Sequence, residues 1–161
     1  TLRVTFTRPD GTQASVDGFY DGDDATGGAV FRARAYCDTL GPWRWTSHAD
    51  LPALDGCSGA FEVVPSSLPG KLRRHPDDPS QFATDDGAWF LHVGDTGYRY
   101  LTATEPEWRA YFDQAAQMGA TKIRTWFCQG RSDVQVLFGE RRETLNLPYW
   151  QEMDRRLVYA L

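Results

Sequence analysis

Between Asp86 and Phe127 the sequence runs through a polar turn, an apolar run, a second polar turn, an amphipathic helix and another apolar run. The helix carries signals at both ends: Thr104 at the N-cap, Glu107 completing a capping box, Pro106 in the first turn and Gly119 as the stop. Trp108, Tyr111, Phe112, Ala115 and Met118 recur at helical spacing and form its expected buried stripe. On either side, 89–93 and 121–127 read as strands, the first apolar enough to be covered on both faces. Strands joined by a helix-length connection pair in parallel, because parallel neighbours need a crossover. The stretch therefore predicts a β-loop-α-β unit, the building block of a parallel sheet or barrel.

Upstream the pattern changes to short alternating strands at 2–7, 13–20, 29–36, 43–48 and 60–64. Turn chemistry separates them at Pro9-Asp10-Gly11, Gly22-Asp23-Asp24, Gly27-Gly28, Gly41-Pro42 and Asp55-Gly56. Turns at such short, regular intervals predict an antiparallel sandwich, in which five strands are few and a leading strand or two is expected to be missing. In 31–36, alternation sets Arg32 and Arg34 on one face and Phe31, Ala33 and Ala35 on the other, so one face is wet. The stretch 65–79, with four prolines and no period, reads as a linker, and a domain boundary is expected near residue 70.

Downstream, 81–84 and 89–93 predict a hairpin about Asp85-Asp86-Gly87. After the second parallel strand comes a loop at 129–145, long enough to suggest a role in function. A last helix begins near Pro148, capped by Asn146 or Leu147, with Trp150, Met153, Leu157 and Leu161 as its apolar side. No stop signal follows, so the chain is expected to be a fragment of a longer protein.

Composition narrows the function classes. The chain has 161 residues, 41% hydrophobic and 14% aromatic, with a formal net charge of -5. Its basic residues are dispersed among acids, which argues against a nucleic-acid surface. Pairs such as Arg73-Arg74 and Arg141-Arg142, and the charges at 140–143, read as solvated positions. No window approaches the ~20 apolar residues of a membrane span. Three cysteines, Cys37, Cys57 and Cys128, with no CxxC spacing exclude a disulfide framework and the usual thiolate zinc sites. A Cys37–Cys57 bridge stays open on the sequence. His48, His75 and His92 are isolated, so neither a metal nor another cofactor is expected. Free cysteines and no visible leader lean towards the cytoplasm.

Gly18-Phe19-Tyr20-Asp21-Gly22-Asp23, Phe31-Arg32-Ala33-Arg34 and Gly41-Pro42-Trp43-Arg44-Trp45-Thr46 together resemble the immunoglobulin-like domain found ahead of certain bacterial glycoside hydrolase barrels. Asp86-Gly87-Ala88-Trp89-Phe90-Leu91 and Gly94-Asp95-Thr96-Gly97-Tyr98 look like the first strand of the attached (β/α)8 barrel, in a group that includes the apiosidase-like enzymes. The resemblance implies an immunoglobulin-like antiparallel β-sandwich over 1–70, followed over 71–161 by the first two β/α units of a TIM barrel. Such a barrel takes about 250 residues. In barrels of this kind the two catalytic glutamates come from the fourth and seventh strands, so the pair is expected beyond this chain and no catalytic residue is assigned.

What the chain contributes on this reading is the wall of a sugar site, at the carboxyl ends of the strands. Asp95 could accept hydrogen bonds from sugar hydroxyls or cap its own turn, and Tyr98 could stack on a ring. Period two puts Arg124 and Trp126 on one side of the second strand. An arginine there resembles the one that holds the nucleophilic carboxylate in related barrels. The implied partners are a carbohydrate substrate and, over the exposed barrel face, the rest of the polypeptide or a second copy. The alternative is a non-catalytic carbohydrate-binding or interaction module with Trp43, Trp45 and Tyr20 as an aromatic platform. The β-α-β unit favours the enzyme, with this chain alone inactive and prone to associate.

Overall fold

The structure, a computed structural model, describes residues 1–98, 100, 102–125, 137–138 and 143–161. The described chain is mostly antiparallel sheet with two helices, and it divides into two compact units, Thr1–Ser67 and Leu68–Leu161. No helix among the described residues is long and apolar enough to cross a membrane.

The first unit is built on a four-stranded antiparallel sheet in the order β2-β1-β5-β6. Its strands are β1 (Leu2–Thr7), β2 (Gln13–Asp17), β5 (Gly41–Ala49) and β6 (Ser58–Val63). The register places Val4 opposite Val16 and Ser47, Phe6 opposite Ala14 and Trp45, and Trp43 opposite Phe61. Side chains at facing positions share a face, so one side of this sheet is apolar and the other carries Arg3, Thr5, Ser15, Arg44 and Thr46. Val4, Phe6 and Trp43 form the core, and Ala33, Ala35 and Cys37 pack on it from the other side.

Residues 13–20, expected as one strand, break at Gly18 into β2 and β3 (Phe19–Asp23), which join different sheets. Gly18 donates its N–H to Leu2 O at 2.8 Å, and a Cβ there would run into the Leu2 side chain. The chain can leave the sheet edge at that point only without a side chain. The expected strand 29–36 is likewise shortened to β4 (Ala29–Arg32), the hairpin partner of β3. Beyond Arg32 the alternation continues without a ladder: Ala33, Ala35 and Cys37 turn towards the core, while Arg34 and Tyr36 are exposed. Apolar periodicity reports burial, and burial here does not require a paired neighbour. Cys37 and Cys57 are both free thiols.

In the second unit, part of the expected linker is structured. β7 (Leu72–Arg74) pairs antiparallel with β8 (Phe82–Thr84), and Arg73 adds an ion pair to Asp85 at 2.6 Å. On the other edge of β8 the expected hairpin about Asp85-Asp86-Gly87 forms only at its start: Thr84 N–H donates to Ala88 O at 2.9 Å, Trp89 bridges to Ala83 and Phe90 N–H donates to Phe82 O at 2.8 Å. The apolar run 89–93 is not a covered strand, since Leu91 is 71% exposed. The parallel strand lies just after it, as β9 (Gly94–Thr96), paired with β10 (Lys122–Arg124).

Between them runs α1 (Glu105–Gln117), with the expected ends. The Glu107 carboxylate accepts from the Thr104 N–H at 2.8 Å and its hydroxyl at 2.7 Å. At the other end Ala120 N–H reaches Ala115 O and Gly119 N–H reaches Ala116 O, both at 2.9 Å, with Gly119 at φ 72°. Trp108, Phe112 and Ala115 are buried as expected, but Met118 is 73% exposed because the helix has already turned at its cap. α2 (Leu147–Ala160) packs Met153 against Tyr100, Trp108 and Phe112. Leu157 and Leu161, expected on its buried side, are exposed, and the buried neighbour of Met153 is Arg156. Its guanidinium bonds the carbonyls of Tyr100 and Ala103 and pairs with Glu152 at 2.8 Å, so a charge takes the place of a leucine. Cys128 and most of the loop 129–145 lie outside the described residues.

Candidate functional site

The register of β9 and β10 sets Gly94 beside Lys122, Asp95 beside Ile123 and Thr96 beside Arg124. The ladder is prolonged by Gly97 N–H to Arg124 O and by Thr125 Oγ1 to Gly97 O, both at 2.9 Å. Paired residues present their side chains on the same face. Ile123 packs on the core that α1 builds, and the Asp95 carboxylate accepts from the Tyr111 hydroxyl of α1 at 3.1 Å. Asp95 therefore belongs to the helix side of the strand pair. Thr96 and Arg124 belong to the opposite side, and Arg124 is exposed there. Trp126 lies outside the described residues.

Tyr98, 48% exposed, follows β9 and stands at the rim of an open cleft of about 410 Å³. Gly97, Tyr100, Trp108 and Tyr111 line the cleft with it. A Cβ at Gly97 would sit 2.7 Å from the Tyr111 hydroxyl, so this glycine admits the phenol that holds Asp95. Burial, with the bond to Asp95 second, pushes the Tyr111 phenol up to about 12, and burial also raises Tyr100. Trp108, fully buried at the inner wall, has Arg109, Arg155 and Arg156 within 4.8 to 5.3 Å of its ring centre, and its Nε1 has no hydrogen-bond partner among the described residues. Of the site residues named from sequence, Tyr98 lines the cleft, Asp95 reaches it only through its bond to Tyr111, and Arg124 lies on the other face. In the sequence Tyr111 belongs to a buried stripe, and its hydroxyl is the one signal of a second task.

The aromatic platform imagined for the first unit does not form. Trp43 is 0% exposed, stacks on Phe61 at 6.1 Å and donates Nε1 to Thr39 O at 2.7 Å. Trp45 is half-buried over Gly59, and Tyr20 stands on β3 in another sheet. A β-strand tryptophan on the apolar face of a one-sided sheet is core.

A family model matches part of this chain in sequence, and a solved structure resembles it in fold. Residues 1–50 match the family described as a domain of unknown function, DUF5060. The fold is similar to that in the crystal structure of "a putative glycoside hydrolase" from Bacteroides vulgatus ATCC 8482, with a TM-score of 0.74 and 20% sequence identity. The similarity covers 99% of this chain and 34% of that one, so the chain spans about a third of the length of that protein. No curated protein matches the chain.

Proposed function

We propose that this chain is the amino-terminal part of a glycoside hydrolase: an immunoglobulin-like β-sandwich over 1–70, followed over 71–161 by the first two β/α units of a TIM barrel related to the apiosidase-like enzymes. The observation that carries the reading is the parallel pair β9 and β10 with α1 as crossover, in a chain whose fold matches 34% of a protein named as such a hydrolase. In a barrel the helices lie outside and the opposite face of the strands lines the interior. On that geometry Arg124 faces the substrate and Tyr98 stands at the carboxyl end of the first strand, with Asp95 acting from the helix side through Tyr111. Trp126, outside the described residues, is proposed as a further sugar contact on its spacing alone.

Arg124 is the residue to which the reading assigns most. A guanidinium on the inner face holds an ionised carboxylate through paired, charge-assisted hydrogen bonds, and in a retaining or inverting pair one carboxyl must stay ionised. The two carboxylic acids come from later strands of the longer polypeptide. That polypeptide, or a second copy of the chain, also covers the apolar side chains of Leu157 and Val158 on α2 and of Leu161 at its end, which stand exposed. The test is kinetic. In the longer protein Arg124→Ala is expected to lower kcat/KM on aryl glycosides by about a hundredfold with the fold intact, while the 161-residue chain shows no turnover. Turnover by the short chain, or an Arg124→Ala enzyme as active as its parent, overturns the assignment.

A further inference from the structure

We propose that the cleft between the β3–β4 hairpin and the turn after β5 binds a neutral sugar ring, giving the first unit a carbohydrate contact of its own. The cleft measures about 490 Å³ and is lined by Phe19, Tyr20, Phe31, Asp50, Leu51 and Leu54, with Leu2 and Gly18 as its floor. Pockets for small ligands run from roughly 300 to 1,000 Å³. Tyr20 and Phe31 are cross-strand partners and meet edge to face at 5.7 Å, with Tyr20 still 42% exposed. Phe19 is fixed by the Arg34 guanidinium, 4.9 Å from its ring centre. These rings offer flat apolar surface, to which the C–H face of a pyranose is complementary.

The polar groups at the rim select within that class. The Tyr20 hydroxyl donates to Asp23 Oδ1 at 2.8 Å, which orients the ring and leaves the phenol oxygen able to accept. Both side-chain bonds to Asp50, from the Thr1 amine at 2.6 Å and the Thr1 hydroxyl at 2.9 Å, fall on Oδ2. Oδ1 is left to accept from a ligand. The charged groups among the lining residues are the Thr1 amine and Asp50, and they pair with each other. Acceptors beside aromatic rings fit a ligand that presents hydroxyl donors and an apolar face together. Gly18 and Leu2 both line the cleft, and a Cβ at Gly18 would run into the Leu2 side chain, so this part of the lining depends on a glycine.

The choice of a sugar over another donor rests on the glycoside hydrolase reading; the cleft itself does not. The experiment is a titration of the 161-residue chain with glucose, galactose, xylose, rhamnose, arabinose and their methyl glycosides, followed by amide shifts in two-dimensional NMR. Tetramethylammonium is the comparison probe, because a carboxylate beside aromatic rings also suits a cation. At least one sugar is expected to shift residues 19–31, 50 and 51 with millimolar affinity. Tyr20→Ala is expected to weaken it about tenfold and Tyr20→Phe to preserve most of it. The spectra of both variants report whether the hairpin is still folded, and Leu51→Ala gives a second route that leaves the hairpin untouched. Shifts with tetramethylammonium alone, no shift with any sugar, or unchanged binding by Tyr20→Ala and Leu51→Ala overturn the inference. Failure of the hydrolase reading registers elsewhere, as a longer protein without glycosidase activity.

Discussion

Tyr111 shows how one side chain can be read correctly and incompletely. Its helical spacing places it on the packed side of α1, and it does pack against the Trp108 cluster. The same residue sends its hydroxyl to Asp95, sixteen positions earlier in the chain. The pairing has a pH signature. Burial first, then the bond to Asp95, pushes the folded phenol up to about 12, above the ordinary 10.0, so the native state resists ionisation. Its contribution to stability is fully present below the unfolded value and is lost as pH rises through the folded one. Denaturation midpoints measured between pH 9 and pH 12 are expected to fall with a component that disappears in Tyr111→Phe. An identical slope in that variant would assign the fall to other groups. Gly97 tells the same story from the other side: a glycine in a polar loop reads as a turn, yet here it makes room for a phenol.

At the scale of elements, α1 and α2 are joined by charges as much as by apolar packing. Glu105 takes Arg109 at 2.7 Å and Arg155 at 3.0 Å, and Glu152 takes Arg155 at 2.7 Å and Arg156 at 2.8 Å. The guanidinium of Arg155 first, then that of Arg156, holds the Glu152 carboxyl down at about 2, against the ordinary 4.5. With a depressed folded value, the stabilisation is present above the unfolded value and is lost as pH falls from about 4.5 towards about 2. Acid unfolding of the second unit is expected to begin in that window. Glu152→Gln should be less stable at neutral pH and less sensitive to acid, and an unchanged acid profile would count against the pairing. The capping box and Gly119 were legible because they are local, encoded within a few residues of one another. The burial of Arg156 in place of Leu157 was not, because its partners, Tyr100 and Ala103, belong to a different segment.

In the molecule as a whole, each unit has its own core, Val4, Phe6 and Trp43 in the first and Tyr100, Trp108, Phe112 and Met153 in the second. Trp43→Ala is expected to cost the first unit about 3–5 kcal/mol. In calorimetry it should lower one transition and leave the other in place; one joint transition moving downward would show that the units unfold together. By itself the sequence determined the alternation of the first unit, the helix with its two ends and the apolar runs that flank it. These are local signals of period and capping, read within a dozen residues. Only the tertiary structure decided that β7 adds a second partner to β8, that the parallel strand is Gly94–Thr96, and that Trp43 is core. It also decided that Asp95 and Arg124 stand on opposite faces. Strand partners and facing are set by which surfaces meet across the fold, and a one-residue change of register turns every side chain to the other side.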